Sequence, residues 1–274
     1  MHRNLMGALC VAALVAVAGC GGDKKPAAAV PATGGSDKPA AAAPAGGGKY
    51  DAGKSNASVK FTVKWTGAKP APLAKTPTGD AVCVEAHKDK PMMDERFTMG
   101  DDGSLPNTFV WAHDGPHKGL TGFPEPAPFV LDQKGCMYVP HVFGVRVGQN
   151  FTIKNSDGTT HNVHAKPKAN KPYNVAQSAG AQNEHSFSIK ERAIQFNCDI
   201  HSWMSATSFV LDHPFFGTTA ADGSLTISGL PAGTYKFKVW HEGFTADKMA
   251  TGLETEVEVV VKEGETVSKP VEMK

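Results

Sequence analysis

The sequence predicts an all-β protein, a sandwich with Greek-key turns. Two observations carry that expectation. Short runs alternate apolar and polar residues at the period of a strand, and turn clusters such as GQN, SDGT, KPKANKP and SAGAQ separate them. Long stretches of helical period are missing, while glycine, proline and β-branched residues are frequent.

The N-terminus reads as an export address. MHRN gives a positive start, LMGALCVAALVAV is an apolar run too short to span a bilayer comfortably, and Val17-Ala18-Gly19-Cys20 follows. Those four residues resemble the lipobox of bacterial lipoproteins. The resemblance implies removal of residues 1–19, acylation of Cys20 and a lipid anchor in the cell envelope, facing the periplasm or the cell surface. Gly21 stands where aspartate would argue for inner-membrane retention, which favours the outer membrane. Residues 20–58 are dominated by Ala, Pro, Gly, Ser and Lys with almost nothing to bury, and read as a disordered tether.

Roughly 215 residues remain, enough for one large or two small domains. A formal charge of +1 with evenly mixed signs gives no electrostatic case for nucleic acid. Residues 59–127 read as a β/loop region opened by the strand VKFTVKW (59–65). From 66 to 105 no period is clear, so loops and a short helix are expected, and NTFVWAH (107–113) is the next strand. Residues 128–212 hold PFVLD (128–132), VFGVRV (142–147), NFTIKN (150–155), EHSFSIK (184–190), AIQFNC (193–198) and SATSFVLD (205–212).

From 213 to 274 the pattern changes. ADGSLTISGLPAGTYKFKVW is a turn, a strand, a Gly-Leu-Pro-x-Gly turn and a second strand. It resembles the small transthyretin-like or carboxypeptidase-regulatory β-sandwich, which needs more strands than this stretch supplies. VKFTVKWTG near residue 60 looks like the missing first strand; in that arrangement the middle of the chain is an insertion within the module.

Cysteine usage narrows the chemistry. With Cys10 in the signal segment and Cys20 acylated, Cys83, Cys136 and Cys198 remain in an oxidising compartment. The expected pairing is a structural Cys83–Cys136 disulfide, leaving Cys198 as a protected thiolate. Cys198 opens the segment CDIHSWM, in which a thiol, an imidazole and a thioether recur at intervals of three. Ile194, Phe196 and Cys198 alternate with Gln195 and Asn197, so a strand here points Cys198 inward. Past that strand a loop can return His201 and Met204 to the same point. Thiolate, imidazole and thioether form a donor set suited to copper, and a His₂Cys site with a weak axial Met needs one more imidazole. Upstream, KNSDGTTHNVHA presents His161 between two strands.

In these two segments the sequence resembles the cupredoxin family: NSDGTTHNV is similar to the first-ligand segment of plastocyanin-like proteins, and Cys-x₂-His-x₂-Met has the ligand-loop spacing of amicyanin. The stretch from about 130 to 242 resembles bacterial proteins of the methylamine-utilisation, plastocyanin-like group. The resemblance implies a Greek-key cupredoxin sandwich beside the transthyretin-like one, and one type 1 copper held by His161, Cys198, His201 and Met204. It also implies an Asn162 side chain that ties the two ligand segments together. Plastocyanin has two more residues between its second histidine and its methionine, so the strength of the copper–Met204 contact, and with it the potential, does not carry over.

The implied function is a lipid-anchored carrier of single electrons, meeting redox proteins by transient contact, with His201 on an exposed loop as electron port and Trp203 beside it. Trp203 reads equally as simple packing. The alternatives are a copper-binding module for delivery or storage, and a non-redox surface interaction protein. An enzyme is not expected: His-x-His pairs, serine–histidine–acid arrangements and phosphate loops do not stand out. Among the remaining histidines, His141 reads as an edge residue or a weak extra ligand, and His87, four residues after Cys83, as a candidate for a separate site whose thiolate partner a disulfide would remove. His164, His113 and His117 read as surface residues, and His185, His213 and His241 have no evident partner.

Overall fold

The computed structural model describes residues 47–244 and 252–274. The expected signal segment, Cys20 and most of the tether lie outside the described residues. After β1 (Ala57–Trp65), a covering segment carries β2 (Ala74–Lys75), helix α1 (Ala81–Ala86) and β3 (Met92–Met93), and leads into β4 (Phe109–Asp114). The middle of the chain runs through β5 (Val130–Gln133), β6 (Tyr138–Val139), β7 (Val142–Arg146), β8 (Phe151–Asn155) and β9 (His161–Lys166). It continues through β10 (Tyr173–Gln177), β11 (Gln182–His185), β12 (Glu191–Asn197) and β13 (Ser205–Leu211). The chain closes with β14 (Phe216–Thr218), β15 (Ser224–Leu230), β16 (Gly233–His241), β17 (Leu253–Val261) and β18 (Thr266–Met273). The protein is all-β, as the alternating runs predict.

Two sandwiches follow from the pairing. One stacks the sheet β10-β9-β12-β13-β7 on β11-β8-β5-β6, around Leu131, Tyr138, Phe143, Phe151, Ile153 and Phe196. The other joins β15-β1-β18 with β14-β4-β16-β17, around Val59, Phe61, Val110, Tyr235 and Phe237. Strand β1 pairs antiparallel with β15 and parallel with β18, and β4 pairs with β14 and β16. The reason is in its pattern: Ala57, Val59, Phe61 and Val63 are fully buried on one face, against a core to which β4 and the C-terminal strands β16 and β17 contribute. Residues 59–127 therefore form no unit of their own, and β5 to β13 sit between β4 and β14 in the chain.

A second correction concerns the tether. Order begins well before residue 58: the Tyr50 hydroxyl donates to Gly229 O at 2.9 Å, and its ring lies 5.1 Å from that of Phe123 and 6.1 Å from Phe215. Backbone pairing supports the ring: Tyr50 N donates to Thr121 O at 2.8 Å and Thr121 N to Gly48 O at 3.0 Å.

The sandwiches meet along β13 and β4. Alternation fails in SATSFVL, where all residues but the first are buried, because both faces of β13 are covered. Ala206 and Val210 enter the first core; Phe209 and Leu211 join Phe109, Trp111, Val142 and Trp240 at the junction. The Phe109 and Phe209 rings stack at 4.2 Å and 9°. Gly144 permits the approach, since a Cβ there would fall 2.6 Å from the Phe216 ring and 2.7 Å from the Phe109 ring.

Polar groups are also buried at the junction. His141 Nε2 meets Glu242 Oε2 at 2.6 Å, Nδ1 bonds Ser205 O at 3.0 Å and lies 3.3 Å from Glu95, and Glu242 accepts from Thr207 Oγ1 at 2.6 Å. His141 is thus buried and not an edge residue, and its ring nitrogens are taken by Glu242 and Ser205 and do not group with His161, Cys198 and His201. Burial works against both charges, but the mutual bond prevails. His141 is held above its ordinary 6.5 and Glu242 below its ordinary 4.5. Neighbouring His241, pushed down to about 4 chiefly by burial, stays neutral, and burial raises Glu95.

The stability from His141 is fully present below pH 6.5 and lost as pH rises through its folded value; that from Glu242 is fully present above pH 4.5 and lost as pH falls through its folded value. Replacing Glu242 by Ala is expected to cost about 3–5 kcal/mol in urea unfolding at pH 5.5, and less as pH rises. A loss that does not shrink toward alkaline pH would show that the pair is not ionic.

Candidate metal centre

Three strands and two short loops build the centre. His161 is the first residue of β9, and Cys198 follows directly on β12, which pairs antiparallel with β9 through Asn197 and His164. The loop from Cys198 to Met204 is closed by its own backbone: Cys198 N donates to Met204 O at 3.3 Å, and Met204 N to His201 O at 2.9 Å. His161, Cys198, His201 and Met204 are 0%, 3%, 2% and 1% exposed. The Nδ1 atoms of His161 and His201 face each other at 2.8 Å, and Cys198 Sγ is 3.8 Å from His201 Nδ1. One donor atom from each of these three residues lies within 4.8 Å of the others. Metal bonds of about 2.0–2.3 Å in a trigonal site put donors roughly 3.5–4 Å apart, so small movements of the two rings admit an ion. Met204 packs in the same core as Cys198.

Asn162 joins the two halves. Its backbone N–H donates to Cys198 Sγ at 3.3 Å, its Oδ1 accepts from Asp199 N at 3.0 Å, and its Nδ2 donates to Asn174 Oδ1 at 2.5 Å. Asn174 in turn donates to Asp199 at 3.1 Å. Cys198 Sγ takes a second backbone donor, His201 N, at 3.3 Å. Burial pushes the Cys198 thiol up, but its bond with His161 and these amides prevail and hold it below the ordinary range. A stabilised thiolate is what a soft metal requires. Beneath, the buried Tyr138 hydroxyl donates to Asn162 O at 2.5 Å and lies 3.1 Å from Asn197 O, spanning β9 and β12.

Two carboxylates back the imidazoles, and neither is evident from the sequence pattern. Asp157 Oδ2 lies 2.8 Å from His161 Nε2; the same side chain accepts from Gly135 N at 2.6 Å and Cys136 N at 2.8 Å. Gly135 and Cys136 both have positive φ, 63° and 54°, a turn that converges two successive N–H groups on one anion. Burial opposes a charged His161, yet Asp157 and Cys198 raise it to about 9. Burial, then the His161 charge, lowers His201. Asp80 Oδ2 lies 3.4 Å from His201 Nε2 and accepts from Thr159 Oγ1 at 2.7 Å, while Oδ1 caps α1.

The covering segment explains why His201 is buried and not exposed as the loop reading expects. Cys83 on α1 is bonded to Cys136, closing the expected disulfide, and His87 Nε2 bonds Gly135 O at 2.7 Å. Lys75 Nζ donates to Trp203 O at 2.9 Å. Trp203 is half-buried, its ring 5.0 Å from that of His201 and its Nε1 donating to Cys136 O at 3.1 Å. Its packing role is therefore plain, and His87 belongs to the covering segment's attachment.

Other histidines lie elsewhere. His164 pairs with Asp199 at 2.9 Å, half-exposed, and His113 is exposed. His117 is buried, not exposed: its ring stands 4.5 Å from that of His213, whose Nδ1 accepts from Phe215 N at 3.1 Å. His241 Nδ1 accepts from Gly243 N at 3.0 Å, and the His185 ring lies 4.3 Å from Tyr173.

No family model matches the chain, and no curated protein matches it. Solved structures similar to part of it include a copper-containing nitrite reductase (NirK) from Thermus scotoductus SA-01, at 19% identity over 34% of this chain and TM-score 0.30. That likeness spans only 24% of the reductase. A point mutant of amicyanin in its Cu(I) form is similar at 18% identity over 31% of this chain and 83% of its own, TM-score 0.28. A purple cupredoxin from Nitrosopumilus maritimus is similar at 21% identity over 31% of this chain and 99% of its own, TM-score 0.26.

Substituting Asp157 by Asn removes the anion behind His161 and is expected to weaken metal binding about 10–100-fold, read by competition with a chromophoric chelator. Unchanged affinity would make Asp157 a structural residue of the turn only.

Proposed function

We propose that the chain is a lipid-anchored, extracytoplasmic copper protein that carries single electrons between redox partners met transiently. The observation that carries this reading is the buried convergence of one thiol and two Nδ1 atoms, each fixed from behind. The donor set fits copper: Cys198 supplies a soft thiolate, His161 and His201 supply imidazoles that serve both oxidation states, and a thioether such as that of Met204, which closes the same loop, suits a weak fourth donor. Copper held there supplies a one-electron Cu(I)/Cu(II) couple.

The chain's own residues do the rest. Asn162 and the amide of His201 hold Cys198 Sγ in place, Asp157 fixes the His161 ring, and Asp80 faces the far nitrogen of His201. Donors fixed in this way resist rearrangement when the charge at the centre changes, which keeps electron transfer fast. Burial of all three supports a carrier over an enzyme, which needs an open coordination position for its substrate. It also supports retention of the ion over delivery. Because the covering segment lies over His201, electrons are proposed to pass through that segment and Trp203, and not from a solvent-exposed imidazole edge.

Electron paramagnetic resonance on copper-loaded protein tests the reading. A narrow copper hyperfine splitting and an intense visible band are expected, both lost in Cys198→Ser. A wide splitting unchanged by that substitution would remove Cys198 from the centre and end the proposal.

A further inference from the structure

The sulfur atoms of the Cys83–Cys136 disulfide lie beside the centre, grouped with the two carboxylates that back its imidazoles. Cys83 Sγ shares a 4.8 Å sphere with a carboxylate oxygen of Asp80 and a ring nitrogen of His201; Cys136 Sγ does the same with Asp157 and His161. The Nδ1 edges of the two rings face each other, with Cys198 beside them, while the Nε2 edges face Asp157 at 2.8 Å and Asp80 at 3.4 Å. Both cysteines are fully buried.

The inner donors are buried as well, and on the His201 side the covering segment lies over them through Asp80 and Lys75. The only covalent tie of that segment among the described residues is this disulfide. Near the centre the segment is otherwise attached by hydrogen bonds of Lys75, Asp80 and His87, with Met92 buried in the first core and Glu95 3.3 Å from His141 farther along.

We propose that Cys83 and Cys136, once reduced, form a second copper(I) site flanked by Asp80 and Asp157, through which the ion is loaded toward His161, Cys198 and His201. An external dithiol gives two electrons and two protons, the Cys83–Cys136 bond breaks into two thiols, and the donor closes to its own disulfide. Binding of Cu(I) forms two copper–sulfur bonds and releases the two thiol protons. Two thiolates are a sufficient set for Cu(I), which accepts low coordination numbers and prefers sulfur over the neighbouring carboxylates. The inference rests on the copper reading for the identity of the ion alone.

The test uses the full chain carrying Cys198→Ser, which disables the inner centre. One portion keeps its disulfide; the other is reduced with dithiothreitol and desalted without oxygen. Circular dichroism follows the fold, and Cu(I) is titrated against bicinchoninate. The reduced portion is expected to bind one equivalent of Cu(I) that the oxidised portion does not, with two sulfur neighbours in X-ray absorption. Adding Cys83→Ser is expected to abolish that two-sulfur site.

Equal uptake by both portions, uptake indifferent to Cys83→Ser, or loss of the fold on reduction would each overturn the proposal. Failure of the inner centre is separable, because it appears as oxidised wild-type chain without the thiolate–copper signals while the reduced variant still binds.

Discussion

Asn162 holds together two parts of the chain that are 36 residues apart in sequence. Its main chain touches the thiol, its side-chain oxygen fixes the residue after that thiol, and its neighbour His161 is a donor itself. The small Cys198–Met204 loop closes on its own hydrogen bonds, and this contact, with the His164–Asp199 pair beside it, aims it at β9. Because the tie is made of neutral amides in a buried place, it survives any change of charge at the centre. The two carboxylates act in the same sense from behind, one on each imidazole.

The second sandwich bears on the same point from farther off. Met204 leads directly into β13, and β13 is clamped between two cores. Stacking of Phe109 on Phe209, the close approach at Gly144 and the His141–Glu242 pair all act on the strand that carries the end of the ligand loop or on its neighbour β7. The loop is therefore anchored through Asn162 at its start and through a buried strand at its end. Building the second sandwich from both ends of the chain returns the chain to that strand after β13 is complete.

Much of this was legible in the sequence, and what was not has a physical reason. Period-two alternation marks strands buried on one face, so β1, β7, β8 and β12 could be found. β4 and β13 were expected as strands too, but the sequence does not reveal that both of their faces are covered. His161, Cys198, His201 and Met204 could be singled out because their side chains are rare together at such spacing. Asp80 and Asp157 could not, since an aspartate in a loop usually faces water; only the αL turn at Gly135–Cys136 and the cap of α1 turn them inward. His201 was expected at the surface because nothing in the aperiodic stretch from 66 to 105 reveals that it folds over the ligand loop. The odd cysteine count did point to the disulfide that holds it there.

Everything turns on whether one ion sits between the Nδ1 edges of the two rings and the thiol. Anomalous diffraction at the copper edge from crystals of the copper-loaded, disulfide-intact protein addresses this directly. The account expects a single peak bonded to Nδ1 of His161, Nδ1 of His201 and Sγ of Cys198, with Asp157 still on Nε2. A peak at any other donors, or rings turned so that Nε2 binds the ion, would contradict it.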